Sequence, residues 1–244
     1  MNIPDEILRV LVSCQSLARG TDGSATNTFI GDLLEKAVLK ATGWRLISND
    51  AVAPPDQLNV RPYGSRWIHT LHRFAFTSKL KRMTVIAQEL GQPNHIWALS
   101  KGAPETIKGL LDPSTIPDSY DAVSKHHMSL GQRVLAMGYK KGRKSQAVAQ
   151  KKGGRKSLEC KLAFAGFLVL DCPLKPDSKK VIKELRNSGH HTVMITGDAI
   201  GTAAPEVTRQ AEIIKTKEKG NSNVYELRET TESKINALDS FSFQ

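Results

Sequence analysis

A period of two in residues 69–78 is the strongest constraint that this sequence places on its fold. Two sets of side chains alternate there: one is His69, Leu71, Arg73, Ala75 and Thr77, and the other is Thr70, His72, Phe74, Phe76 and Ser78. The alternation predicts a β-strand that puts Phe74 and Phe76 on one face, and the apolar runs at 83–87 and 96–100 predict two more strands. Because residues 91–94 (Gly-Gln-Pro-Asn) favour a turn, we expect an antiparallel meander.

Helical periodicity surrounds this meander. Apolar residues recur at a helical period in 3–19, a loop composition follows in 20–27, and a second helix is predicted for 31–42 between Asp32 and Gly43. Pro104 is suited to begin a helix that runs through Leu111. Further along we expect a helix at 118–130, a strand at 133–139 and a buried strand at 162–170. This mixture of helices and strands indicates the α/β class.

Residues 162–198 read as a strand, a helix and a second strand. The helix is predicted to begin at Asp177 or Ser178 and to end at Gly189, and the apolar run 192–195 leads into Thr-Gly-Asp at 196–198. Such a unit predicts a right-handed parallel crossover of the Rossmann-like type, in which phosphate-binding loops follow the carboxyl ends of the strands. Residues 205–244 carry few large apolar groups, so we expect a helix near Pro205 and then a weakly ordered tail.

The positive charge of the chain is concentrated in one segment. The formal net charge is +11, and residues 140–156 contain eight Lys or Arg residues and no acid. Such a run can attract phosphates, nucleic acid or an anionic lipid leaflet, although it can also be an ordinary solvated face. The run contains no aromatic residue for base stacking, so we expect no specific nucleic acid. A basic protein that binds RNA or an anionic membrane remains the alternative function.

Cysteine and histidine usage indicates neither a disulfide framework nor a metal site. The three cysteines are scattered, and the seven histidines show no ligand spacing with Cys or Asp. No apolar run approaches the roughly 18 residues of a membrane span, and the first residues lack a signal-peptide pattern. We therefore expect a soluble, cytosolic chain without a bound metal.

Lys101, Gly102 and Phe76 are residues that could bind a nucleotide. Lys101-Gly102 ends a predicted strand, so an ammonium group lies beside a backbone that a nucleotide can approach closely. Phe76 offers a π-face, which is suited to stacking on a flat ligand. Each residue also has a simpler interpretation, since a surface lysine before a turn and a core phenylalanine occur in many folds.

Five segments together resemble the signatures of P-type ATPases. They are Lys-Gly-Ala-Pro-Glu at 101–105, Phe-Thr-Ser-Lys-Leu-Lys-Arg-Met at 76–83, Leu-Gly-Gln-Arg-Val-Leu-Ala at 130–136, Gly-Asp-Leu-Leu-Glu-Lys-Ala at 31–37 and Thr-Gly-Asp at 196–198. Asp-Cys-Pro-Leu-Lys-Pro-Asp-Ser at 171–178 matches the hinge of the family. Over residues 5–204 the chain looks most like the endoplasmic-reticulum members, the A branch of the fifth class.

This resemblance implies a domain organisation and a ligand. It implies a nucleotide-binding domain at 1–171, with an antiparallel sheet flanked by helices, a partial phosphorylation domain of the haloacid-dehalogenase type at 172–204, and a tail at 205–244. The implied ligand is ATP. The residues that match the ATP-binding positions of the family are Glu35, Phe76, Lys101, Gly102, Arg133, Thr196, Gly197 and Asp198.

The resemblance also implies a role for most of these residues. Phe76 would stack on adenine, Glu35 would lie near the adenine amino group, and Arg133 would contact the phosphates. Thr196 would hold the transferred phosphoryl group, and Asp198 would support the nucleotide-bearing state. Two positions depart from the family pattern, since Leu33 replaces a proline and Ala199 replaces an asparagine.

Two catalytic signatures of the family do not occur in the 244 residues. They are the Asp-Lys-Thr-Gly motif, which carries the phosphorylated aspartate, and the Gly-Asp-Gly-x-x-Asn-Asp magnesium loop. We therefore expect a chain that has no catalytic nucleophile and binds ATP without hydrolysing it, with Mg²⁺ used only in a complete family member. Its partners would be the membrane and actuator domains of a longer ATPase on the cytosolic face of the endoplasmic reticulum.

Overall fold

The fold is given by a computed structural model that describes residues 3–20, 29–55, 66–143, 154–171, 175–196, 212–219 and 222–228. The chain divides into two compact units. One comprises residues 1–120 and 134–168, and the other comprises 121–133 and 169–244. The following description treats each unit by itself.

A seven-stranded sheet dominates the first unit. Its strands follow one another in space in the same order as in the sequence. They are β3 (Arg45–Ser48), β4 (Ala51–Ala53), β5 (Ile68–Thr77), β6 (Arg82–Glu89), β7 (His95–Gly102), β8 (Arg133–Arg143) and β9 (Ala163–Leu170). The pairs from β3 to β8 are antiparallel. The predicted meander is therefore confirmed, and the full sheet is larger than the three strands expected.

Helices and a small ribbon accompany this sheet. They are α1 (Asp5–Ser13), the ribbon β1 (Ala18–Arg19) with β2 (Phe29–Ile30), α2 (Leu33–Thr42), α3 (Pro104–Lys108) and α5 (Gly154–Leu158). Helix α4 (Tyr120–Ser129) belongs, except for its first residue, to the second unit. Helix α2 has the predicted ends, because the Asp32 side chain accepts from the backbone N–H groups of Leu34 and Glu35, and Gly43 adopts φ +73°. Its first turn thereby places Glu35 at a defined position.

Two apolar clusters hold the first unit together. One cluster contains Ile86, Ile96 and Leu158, with the partly buried Phe74 against it. A second cluster surrounds Tyr120, which is 2% exposed and donates a hydrogen bond from its hydroxyl to the Pro104 carbonyl. This bond fixes the start of α3, directly after the end of β7.

The second unit differs from the predicted crossover. It contains α6 (Ser178–Asn187) and a three-stranded sheet in the order β10 (Val193–Thr196), β12 (Ser222–Arg228), β11 (Glu212–Lys219). Strand β10 pairs antiparallel with β12, so the parallel pairing expected between 162–170 and 192–195 is wrong for the described residues. Apolar patterning predicted the strand and the helix, but it does not specify which strand is the partner.

Two other expectations change in detail. Strand β9 is half-buried along its whole length rather than buried, and it is the last strand of the seven-stranded sheet. Residues 212–219 and 222–228 pair as antiparallel strands where a weakly ordered tail was expected. The β-branched and aromatic residues of these segments favour strands in spite of their charge. The helix predicted near Pro205 lies outside the described residues.

Candidate functional site

The two faces of the sheet near the carboxyl end of β7 carry different chemistry. On one face, which we call the Lys101 face, Met83 is paired with Lys101 and Val85 with Leu99. On the other, the Glu159 face, Thr84 is paired with Ser100, and the Thr84 and Ser100 hydroxyls lie 2.9 Å apart. Because side chains alternate along each strand, these rows of residues define what each face can bind.

An ion pair occupies the Lys101 face. Lys101 Nζ lies 3.5 Å from Glu35 Oε1, and the two side chains are only 11% and 15% exposed. The second carboxylate oxygen of Glu35 accepts a hydrogen bond of 2.8 Å from the backbone N–H of Ser16. Two residues that lie 66 positions apart in the sequence are thus brought together.

Phe76 lies on the same face as Lys101 because the pairing of β5 with β6 shifts register. Phe74 is opposite Thr84 and Thr77 is opposite Arg82, so Ala75 and Phe76 on β5 are opposite Met83 alone. The extra residue is a β-bulge, which reverses the alternation. Phe74 therefore points to the Glu159 face and Phe76 to the Lys101 face, and the prediction that the two share one face is wrong.

The two phenylalanines consequently have different surroundings. Phe74 packs against the buried cluster described above, whereas the Phe76 side chain is 59% exposed. A large aromatic side chain with an open face can stack on a flat ligand, and a buried one cannot. Phe76 is thus the phenylalanine that is available for stacking.

Gly102 makes an unusually close backbone contact. A Cβ atom at this position would meet the Lys81 carbonyl oxygen at 2.5 Å and the Arg82 Cα at 2.8 Å. The Lys81 carbonyl also accepts a hydrogen bond of 3.0 Å from the Ala103 N–H, and Lys81 adopts φ +48°. The absence of a side chain at Gly102 therefore lets the start of β6 pack directly against the end of β7.

Cys14 lies beneath the ion pair and was not identified as a site residue from the sequence. Its thiol is fully buried and donates to the Leu99 carbonyl, with the sulfur 3.3 Å from the oxygen. Burial raises the pKa of the Cys14 thiol to about 12, an effect that Lys101 opposes and Glu35 reinforces. The thiol therefore stays protonated at neutral pH and acts as a small apolar group in the floor of the site.

A buried carboxylate network lies on the opposite face, centred on Glu159. Arg82 donates from Nε and Nη2 to Glu159 Oε2 at 2.9 and 2.7 Å. Arg155 donates from Nε to Glu159 Oε1 at 2.6 Å, and the Thr84 hydroxyl donates to the same oxygen. Only the spacing of Arg155 and Glu159, four residues apart, could have suggested part of this network from the sequence.

The charge of Glu159 is retained because these partners outweigh its burial. Burial alone would raise the pKa of the Glu159 carboxyl. Hydrogen bonds from Arg82, Thr84 and Arg155 lower the pKa by more than burial raises it, so the pKa lies below its usual range. The Glu159 side chain is 1% exposed. It is therefore an ionised, fully paired carboxylate inside the first unit.

The remaining candidate residues belong to the second unit or lie outside the described part. Arg133 begins β8, is half-buried and is grouped with the second unit, and Thr196 ends β10 in that unit. Gly197 and Asp198 lie outside the described residues. The residues that the structure brings to the Lys101 face are thus Glu35, Phe76 and Lys101, whereas Gly102, the next residue of β7, packs against Arg82 on the Glu159 face.

The basic run is described only at its two ends. Lys140 Nζ donates to the Cys160 carbonyl at 3.2 Å, and Lys141 Nζ lies 5.3 Å from the centroid of the Trp97 ring. Residues 144–153, which carry further basic side chains, lie outside the described residues. None of the helices in the described ranges is long and apolar enough to cross a membrane.

Comparison with known proteins shows which proteins this chain is similar to. No family model matches the chain. It is 36% identical over 212 residues, 87% of the chain, to the probable manganese-transporting ATPase PDR2 of Arabidopsis thaliana. It is 36% identical over 195 residues to the endoplasmic reticulum transmembrane helix translocase of Saccharomyces cerevisiae, and 35% identical over 204 residues to the human probable cation-transporting ATPase 13A4. These two matches cover 80% and 79% of the chain.

These matches confirm the resemblance found in the sequence: over most of its length the chain is homologous to P-type ATPases. Within the family its relatives are endoplasmic reticulum helix translocases and cation-transporting ATPases of the 13A type. The chain spans 15–16% of the length of the three relatives named above.

Proposed function

We propose that this chain is the ATP-binding cytoplasmic portion of an endoplasmic-reticulum P-type transporting ATPase. The observation that carries the proposal is the convergence of Phe76, Lys101 and Glu35 on one face of the sheet beside Gly102. An exposed aromatic ring, a cation and a carboxylate are the groups that a purine nucleotide requires for stacking, charge neutralisation and hydrogen bonding.

Each of these residues has a role that its surroundings allow. Phe76 offers its open ring to adenine, and Gly102 lets the start of β6 pack closely against the end of β7 that carries Lys101. Lys101 is already held by Glu35, so its ammonium group is oriented before ATP arrives. Glu35 remains an acceptor for the adenine amino group, because a carboxylate has more lone pairs than Ser16 and Lys101 use.

For the phosphate end of the ligand the proposal rests on the sequence resemblance. In the proposal Arg133 contacts the phosphates, since a planar guanidinium of fixed charge is suited to them. Thr196, Gly197 and Asp198 would receive the transferred group in a complete ATPase. The full-length protein would lie in the endoplasmic reticulum membrane with this portion on the cytosolic face, and ATP hydrolysis there would drive transport.

Replacing Lys101 by alanine should weaken ATP binding by about tenfold, since one favourable charge contact is worth about 1.4 kcal/mol or more. The measurement is displacement of a fluorescent ATP analogue by unlabelled ATP. Lys40→Ala is the matched control, because it removes the same charge from an exposed position on α2. Equal affinities for the two variants would contradict a role of Lys101 in the site.

The purified chain should bind ATP without releasing phosphate. The family's nucleophile motif and magnesium loop do not occur in the 244 residues, and phosphoryl transfer requires both. A phosphate-release assay with ATP and Mg²⁺ tests this expectation. Steady release of phosphate by the wild-type chain, abolished in Asp198→Ala, would contradict the proposal that this chain binds ATP but cannot hydrolyse it.

A further inference from the structure

We propose that Glu159 is a positioning residue for the nucleotide site, which it holds in place from the opposite face of the sheet. The inference rests on the proposed function, since it concerns the affinity of the same site for ATP. Glu159 does not lie on the Lys101 face. It acts through the backbone of β6 and β7, which carries Lys101 on the other side.

Glu159 and Arg155 together hold Arg82 in place. Both its side chain and its backbone are held, because its guanidinium donates two bonds to Glu159 while its carbonyl accepts from Arg155 Nη2 at 3.0 Å. Arg155 in turn donates to the same carboxylate. One buried carboxylate therefore fixes the position of Arg82 from two directions.

Arg82 is packed in turn against the backbone that carries Lys101. Arg82 is paired with Gly102 across the strands. A Cβ atom added to Gly102 would lie only 2.6 Å from Arg82 Cβ and 2.8 Å from Arg82 Cα. The residue before it, Lys81, accepts the Ala103 N–H. A displacement of Arg82 must therefore move the Lys101-Gly102 backbone as well, since no gap exists to absorb it.

Phe76 is joined to Arg82 by a tight turn. The turn between Phe76 and Arg82 is closed by a hydrogen bond of 2.8 Å from the Lys81 N–H to the Thr77 carbonyl, and Thr77 is opposite Arg82. The bulge that orients Phe76 thus ends at the residue pair that Glu159 anchors. Fixing Arg82 fixes the distance between the stacking ring and Lys101.

Thr84 and Ser100 extend the same network across the two strands. The Thr84 hydroxyl donates to Glu159, and the two hydroxyls lie within hydrogen-bond distance of each other. Thr84 and Ser100 each have 0% of their surface exposed. Glu159 therefore anchors Thr84 and Ser100, the strand neighbours of Met83 and Lys101. A loss of its charge should displace this part of both strands.

Glu89 provides a matched control at the other end of β6. It is 5% exposed and accepts from Arg9 Nε and Nη2 at 3.2 and 3.0 Å, the same paired geometry that joins Arg82 to Glu159. Strand β6 runs from Arg82 to Glu89, so the two carboxylates anchor opposite ends of one strand. A loss of either charge should lower stability, but only Glu159 anchors the end that carries the site.

The experiment is calorimetric titration of ATP into the wild-type chain, Glu159→Gln and Glu89→Gln, well below the melting temperature of each. We expect Glu159→Gln to raise the Kd for ATP roughly three- to thirtyfold, in the range of residues that act through a packed network. Glu89→Gln should leave the Kd within about twofold while lowering the melting temperature.

The outcomes separate the two proposals. If wild type does not bind ATP, the proposed function fails and this inference fails with it. If wild type binds and the two variants have the same Kd, the positioning role of Glu159 is overturned while the proposed function stands. If Glu159→Gln does not fold, Arg155→Gln is used in its place. This variant removes the hydrogen bonds from Arg155 to Glu159 and to the Arg82 carbonyl and leaves the pair of Arg82 with Glu159 intact. An unchanged Kd in a folded Arg155→Gln would then overturn the inference.

Discussion

Replacing Phe76 by alanine should weaken ATP binding by about 5- to 150-fold, since stacking of a base on an aromatic side chain is worth about 1–3 kcal/mol. The same change should hardly alter the melting temperature, because the ring is 59% exposed and buries little apolar surface. The measurement is the Kd for ATP by calorimetry together with thermal unfolding of both proteins. A large loss of affinity without a loss of stability is the signature of a residue that contacts the ligand.

Phe76→Tyr is the control for this prediction. Tyrosine keeps a π-face of the same size on the same strand, so its Kd should stay within about threefold of wild type. An alanine variant that binds ATP as tightly as wild type would remove Phe76 from the site. A tyrosine variant that loses affinity as alanine does would also contradict stacking as the reason.

Replacing Gly102 by alanine should destabilise the first unit by about 1–3 kcal/mol, the usual cost of forcing an added methyl into a packed position. The added Cβ would lie 2.5 Å from the Lys81 carbonyl oxygen and 2.8 Å from Arg82 Cα, both of them backbone atoms that cannot move away alone. The strands must separate at the end that carries Lys101, so ATP affinity should fall as well. Thermal unfolding and calorimetry measure the two effects.

Gly109→Ala is the matched control for Gly102→Ala. Gly109 follows α3 with an ordinary φ of −68°, and a Cβ there would meet only the Thr106 carbonyl oxygen, at 3.7 Å. We expect its stability to stay within about 0.5 kcal/mol of wild type. Equal stabilities for the two variants would show that the close approach at Gly102 is not as tight as described.

Local signals in the sequence were sufficient for the elements that carry the site. Asp32 and Gly43 define the ends of α2 through interactions with their own neighbours, so they can be read from residue types alone. The strands that end near Lys101 follow from alternation and from turn residues. These predictions were confirmed because each depends on interactions within a few residues.

Long-range pairing accounts for what the sequence did not reveal. The bulge after Phe74 depends on how β5 pairs with β6, and simple alternation put Phe76 on the wrong face. Glu159 meets Arg82 from 77 positions away, and no spacing rule connects them. Strand β10 likewise pairs with β12, a segment that its own apolar pattern does not specify. In each case the partner strand or side chain, rather than local propensity, decides the outcome.

The central claim is that the folded chain binds ATP at the face formed by Phe76, Lys101 and Glu35. It is tested most directly by calorimetric titration of ATP into the wild-type chain, repeated with Phe76→Ala and Lys101→Ala. We predict saturable binding at a single site that both substitutions weaken while the proteins remain folded. Folded wild type that gives no binding, or binding that neither substitution changes, would contradict the claim.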